Sequence, residues 1–322
     1  MTVRARQPAQ KKAQQLLSGL SLSKDEVRSR LEQATDAHYW RALYPRFSVG
    51  ADAAPVPDVP PLDESTLTRY ARGLDQWGYF SSDAPIVQGL TPSLLECIET
   101  VRKAGWPPAF AYVYDQFWTL WRVAPIAQIL TAALGKDYLY IPHGWCHYVQ
   151  PVRGASGWPP HIDGNLSNRM SIWIPLTDST IDNGCIYLVP KDMNTSAIGE
   201  RRELRNASNL QMRELLQRSR AIAASAGALL GWQFRILHWG STAHRPGNPR
   251  VSLVFEFIAA NEAPIRNERP LYDPAGPLPD LPMRLHSIGR AIHQYMRYEL
   301  RMRRYSQLAT VLMNARSGPG RR

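Results

Sequence analysis

The sequence predicts an α+β protein with a mainly β core, a double-stranded β-helix (jelly roll) flanked by helices. Two observations point there. From Tyr138 onward, short apolar or alternating runs (DYLYIP, HYVQPV, MSIWIPL, CIYLVP, GALLGW, RILHW, VSLVFEFI) are broken by Gly, Pro, Asn and Asp, as short strands joined by turns would be. On either side of this region the apolar residues recur at helical spacing instead.

In chain order, residues 1–65 form an N-terminal extension. Asp25 to Leu43 carries a helical pattern, with Ser23 as N-cap and Glu26 at the third helical position, a capping box. The stretch ADAAPVPDVPPL (51–62) is a proline-rich extended connector. The β-rich domain is set at 66–262. It opens with a helix and strand in STLTRYARGLDQWGYF, a helix over Pro92 to Lys103, and another near Val123 to Leu134 that Gly135 ends. Asn206 to Ala224 reads as a helix between strands, either lidding the barrel mouth or packing outside it. Residues 263–322 comprise a proline-rich link and one long helix from about Met283 to Asn314. Between Met283 and Arg322 there are nine arginines and one acid, Glu299. This helix either packs on the core with a solvated basic face or meets an anionic partner or a second copy.

The chain has 322 residues, 44% hydrophobic and 20% charged, which suits a folded globular protein and excludes global disorder. No apolar run approaches the roughly 18 residues of a membrane span. MTVRARQPAQKKAQQ lacks the apolar core of a signal peptide, so a cytoplasmic protein is expected. Cys97, Cys146 and Cys185 show no CxxC spacing, which argues against zinc and for buried thiols in a reducing compartment. The net charge of +11 admits an acidic partner, but Arg4, Arg6, Lys11, Lys12 and the C-terminal arginines place much of it at the ends. No nucleic-acid recognition motif is present.

The chemistry-bearing stretch runs from Pro159 to Leu253. In HIDG, a strand would point His161 and Asp163 the same way. With a distant third ligand they make the two-His-one-carboxylate face that holds non-haem Fe(II) and leaves open positions. One HxD among eight histidines is weak by itself. His238, at the end of an apolar strand, and His244, in the loop TAHRPGNPR, compete for the third place. Strand context favours His238.

Three motifs strengthen the reading: PHIDG, then WIPLTDSTIDNGCIYLVPKD, then the run from Gly227 to Arg250. In that run the glycine precedes His238 by eleven residues and Arg250 follows it by twelve. Together they resemble the phytanoyl-CoA dioxygenase-like (PhyH) family of Fe(II)/2-oxoglutarate-dependent oxygenases, over about Leu67 to Ile258. The resemblance implies His161, Asp163 and His238 as iron ligands and Arg250 as the clamp on the distal carboxylate of 2-oxoglutarate, a task suited to a planar guanidinium. Ser252 would add a hydroxyl there, and Tyr148 and Gln150 lie where they would reach the same co-substrate. The family's Pro-Gly-Ser-His appears as Pro190 to Met193 (PKDM), a departure that leaves the following loop open.

Asn165 and His244 are candidate substrate contacts. Trp173 either walls the site or fills the core. Asn183-Gly184 reads as a hairpin turn, and His143 and His147 read as core histidines. The implied activity is dioxygenase chemistry that consumes O2 and 2-oxoglutarate, releases succinate and CO2, and hydroxylates an unactivated C–H of a small molecule in specialised metabolism. Halogenating relatives lack a carboxylate at the Asp163 position, so Asp163 favours hydroxylation; desaturation, epimerisation and ring formation stay open. The rival readings are a non-redox cupin-type or inactive metal-binding barrel, which needs no Arg250, and a nucleic-acid oxidative demethylase.

Overall fold

The computed structural model describes residues 21–50, 54–191, 208–265 and 268–314. Two antiparallel sheets form the β core. The larger has five strands in the order β1 (Tyr79–Ser81), β6 (Leu230–Gln233), β3 (Arg169–Pro175), β8 (Arg250–Ile258) and β2 (Leu139–Val149). The smaller has three: β5 (Arg220–Ile222), β4 (Ile186–Leu188) and β7 (His238–Gly240).

Strand β8 is buried along its whole length, which explains its near-continuous apolar sequence. The polar residues that interrupt it, Arg250, Ser252 and Glu256, share one face by strand alternation. That face includes Val149 and His147 of β2 and Trp173 and Ser171 of β3, which lie opposite on the neighbouring strands. Trp232 of β6, paired with Ser171, meets His238 of β7 with ring centroids 4.5 Å apart. The inner faces of the two sheets therefore converge on polar groups. The outer face of β8 is apolar: Phe255 and Phe257 pack against Tyr112, Trp121 and Tyr140. This aromatic layer gives the β core its dry side.

Helices cover that side. Ser23 and Glu26 form the expected capping box on α1 (Lys24–Thr35). Asp36 then ends α1 and caps α2 (Ala37–Leu43) through the His38 N–H, so the single helix read from the sequence is two. Helix α3 (Glu64–Trp77) ends at Gly78, whose φ of 76° turns the chain into β1. Helices α4 (Thr91–Lys103) and α5 (Ala124–Leu134) follow as expected, α5 stopping at Gly135. Among the described residues no single helix is long and apolar enough to cross a membrane.

Four local expectations are corrected. HIDG is no strand: His161 makes a lone bridge to His238, and Asp163 and Gly164 donate to the Phe234 carbonyl. The segment to Ala224 is helical only over α6 (Asn209–Arg218), after which β5 pairs with β4; residues 206 and 207 lie outside the described set. Asn183-Gly184 is a turn but no hairpin: β3 and β4 on either side of it lie in different sheets, only Gly184 takes a positive φ, and the Asn183 side chain bonds the Thr180 N–H and the Asp178 carbonyl. The long C-terminal helix is a hairpin of α7 (Leu281–Tyr295) and α8 (Ser306–Asn314), joined through a 3-10 turn at Leu300–Tyr305.

Candidate active site

His161, Asp163 and His238 offer ligand atoms that all lie within 4.8 Å of one another. Asp163 Oδ1 stands 3.6 Å from Nε2 of His161 and 3.6 Å from Nε2 of His238. Each imidazole is fixed at its other nitrogen. Nδ1 of His161 lies 2.8 Å from the Pro159 carbonyl, and Nδ1 of His238 lies 2.9 Å from the Ile236 carbonyl. A ring that donates from Nδ1 keeps its Nε2 lone pair for a metal. Burial, then the neighbouring His238, pushes His161 down to about 4, so it is neutral at physiological pH.

The carboxylate is divided in the same way. Asp163 Oδ2 accepts from Ser171 Oγ and from Trp232 Nε1, both at 2.8 Å, which leaves Oδ1 facing the histidines. Local folding supplies this convergence without a strand: reciprocal bonds between the His161 and His238 backbones fix one edge, and the Phe234 carbonyl fixes the turn at Asp163. His238 opens β7 rather than ending a strand. His244 sits in an exposed loop outside the cluster. The fit to a divalent iron is good in chemistry: two imidazole nitrogens and one carboxylate oxygen, each with a partner behind it.

Arg250 is buried on the same inner face, and burial pushes its guanidinium down to about 10, still charged at neutral pH. Its Nε and the Ser252 hydroxyl are buried without a hydrogen-bond partner among the described residues. Such groups are costly to leave unsatisfied, and a carboxylate would answer both. Two glycines make room for the guanidinium: a Cβ on Gly157 would come within 2.5 Å of Nη2, and one on Gly240 within 2.8 Å.

The remaining candidates divide. Tyr148 points to the opposite face of β2, where its hydroxyl donates to Glu99 at 2.8 Å and Arg102 stacks over its ring. His147 is the β2 residue on the Arg250 face, paired with Ser252; burial and the Arg250 charge hold it well below the usual histidine range. The alternation of β2 against β8 was the signal that would have singled it out. Gln150 follows β2 and lines the cavity beside the site, as does His244. Asn165 is exposed. Trp173 is buried on the inner face, and its indole N–H has no partner among the described residues.

The sequence reading missed a wall from the C-terminus. Tyr298 lies 5.4 Å from His161 between ring centroids, and Trp158 stacks on Tyr298 at 4.9 Å. Glu299 accepts from the indoles of Trp145 at 2.8 Å and Trp158 at 3.0 Å. Burial raises its carboxyl above the ordinary value.

Comparison with known proteins accords with this geometry. The model of the phytanoyl-CoA dioxygenase (PhyH) family matches residues 114–252, a span that contains the His-Asp-His set, Arg250 and Ser252. No curated protein matches the chain. Among solved structures, the fold is similar to SnoK, described as a non-haem alpha-ketoglutarate-dependent carbocyclase from nogalamycin biosynthesis. The identity is 18%, the match covers 62% of this chain and 87% of that one, and the TM-score is 0.51. It is also similar to apo ThoJ, described as a non-haem monooxygenase, at 14% identity, 75% and 99% coverage and a TM-score of 0.50.

Proposed function

We propose that the protein, whose residues 114–252 match the model of the phytanoyl-CoA dioxygenase (PhyH) family, is an Fe(II)- and 2-oxoglutarate-dependent oxygenase that hydroxylates an unactivated C–H bond of a small molecule. The observation that carries the proposal is the pair of features the site brings together: three ligand atoms converging within 4.8 Å, and an Arg250 Nε and a Ser252 hydroxyl that have no hydrogen-bond partner among the described residues. The two facing sheets are read as the halves of a double-stranded β-helix, with the oxygenase unit at 66–262.

In this reading His161, Asp163 and His238 hold the iron, and Arg250 with Ser252 holds the far carboxylate of 2-oxoglutarate. When bound, the pair supplies oxidative decarboxylation of the keto acid by O2, coupled to oxidation of the substrate. The chain's own part is orientation and exclusion of water. Ser171 and Trp232 hold one carboxylate oxygen of Asp163 so that the other faces the metal position. Trp173 and the Trp158–Tyr298 pair wall the site. Asp163 fills the third protein position, which supports hydroxylation over halide transfer.

Succinate release from 2-oxoglutarate by the purified protein, with Fe(II) and O2, tests the reading. Activity that disappears in Asp163→Ala and in His238→Ala, while His244→Ala retains it, is the expected pattern. Full activity in Asp163→Ala would remove the ligand assignment.

A further inference from the structure

We propose that the substrate carries an anionic group, a phosphate, sulfate or carboxylate on an apolar or aromatic body, held by Arg301, Arg303 and Arg304. This rests on the oxygenase reading above for the inner end of the cavity. It adds what the outer end recognises.

A cavity of 1240 Å³ runs along the site, larger than the roughly 300–1,000 Å³ of an ordinary small-ligand pocket. Its inner end is fixed by neighbours of the catalytic set. Trp158 and Tyr298 line it and touch His161, and Gly157 and Gly240 line it and flank the Arg250 guanidinium. Its outer end is made by the 3-10 turn of the C-terminal hairpin, by Arg30 of α1 and by Arg102 of α4.

Charge on that rim is one-sided. Five arginines line the cavity, and Glu299 is the one carboxylate among its lining residues. Glu299 is already committed to two indole N–H groups. Arg102 is paired with Glu99 at 2.8 Å, and Arg30 donates to the Ala104 carbonyl at 3.2 Å and lies over Trp106. Arg301, Arg303 and Arg304 are exposed, and among the described residues none has a carboxylate within ion-pairing distance. Guanidinium groups gathered on a concave wall focus a positive potential into it and are shaped for bidentate oxyanions. Two aromatic rings that line the cavity and touch His161, Trp158 and Tyr298, offer an apolar body a place to lie. An anion anchored at the rim would therefore direct the remainder of the molecule toward His161.

The test is direct binding of naphthyl phosphate, naphthoate and neutral naphthol to the full-length protein, read by fluorescence anisotropy at physiological salt. The anions should bind at least about tenfold more tightly than naphthol, the worth of one charge-assisted contact. Phosphate against carboxylate then ranks the two kinds of anion. Arg301→Gln/Arg303→Gln/Arg304→Gln, all at exposed positions, should abolish the preference while 2-oxoglutarate binding stays unchanged. The preference should persist in Arg250→Ala, or under competing succinate should that variant not fold. Equal binding of the three compounds, or a preference lost with Arg250 and kept in the triple variant, would overturn the rim assignment. Neither result touches the iron site, which the succinate assay reads separately. Tighter binding of a single-stranded oligonucleotide with a steep salt dependence would replace the small molecule by nucleic acid and overturn it too.

Discussion

Asp163 does two jobs with its two oxygens, and the division is made by Ser171 and Trp232. Removing either donor frees the carboxylate to rotate without deleting a ligand. Ser171→Ala and Trp232→Phe should therefore weaken Fe(II) or Mn(II) binding about 10- to 100-fold, the usual loss for groups that orient a metal ligand; metal titration measures it. Arg250 depends on Gly240 in a different way. A methyl at Gly240 would meet both Arg250 Nη2 at 2.8 Å and the Gly157 backbone at 2.7 Å. Gly240→Ala should raise the 2-oxoglutarate requirement about tenfold or more while iron affinity changes little, as should Arg250→Ala, because each charge-assisted bond is worth about 1.5–3 kcal/mol. Equal losses for metal and 2-oxoglutarate would contradict the clamp. The convergence of His161, Asp163 and His238 and the burial of Arg250 beside them were legible because those residue types and spacings can be read along the chain. Tyr298 and Glu299 were not, since about 140 residues separate Glu299 from Trp158 and only packing joins them.

At the scale of elements, the C-terminal hairpin departs most from its sequence pattern. Leu285, Ile288 and Ile292 of α7 and Leu308 and Leu312 of α8 keep one helical period, yet the chain folds back between them. Gly289 lets the two helices close up: a Cβ there would stand 2.7 Å from the Ala309 carbonyl oxygen. Gly289→Ala should cost about 1–3 kcal/mol by overpacking, seen as a lower denaturation midpoint. The break between the helices also places Glu299 against two indoles, at a cost in desolvation. Its folded value is raised, so the native state binds the extra proton, and stability falls as pH rises from the ordinary carboxyl range through the raised value. Glu299→Gln keeps an acceptor for both indoles and loses the charge. It should match the wild type in acid and exceed it at neutral pH in denaturant titrations; a neutral-pH loss would contradict this. Local signals predicted α1's capping box and α5's glycine stop well. They failed for HIDG, where a tertiary bridge to His238 replaced the strand.

Across the whole molecule, two sheets converge on a polar interior while an aromatic helical layer seals the opposite side. The β-rich centre was legible from turn-punctuated apolar runs, and the flanking helices from their period. What periodicity does not encode is which end of the chain returns to the site. Arg301, Arg303 and Arg304, read from sequence as part of a basic C-terminal helix, line the same cavity as Trp158 and Gly240. Part of the excess of positive charge, +11 over the chain, thus lies on the wall of that cavity. The central claim is that the interior holds iron chelated by 2-oxoglutarate, and an anaerobic titration of the apoprotein with Fe(II) and 2-oxoglutarate tests it most directly. The chelated keto acid should give a weak visible charge-transfer absorption, absent in Asp163→Ala and shifted to higher 2-oxoglutarate in Arg250→Ala. Iron that fails to bind, or binds with no such absorption at saturating 2-oxoglutarate, would contradict it.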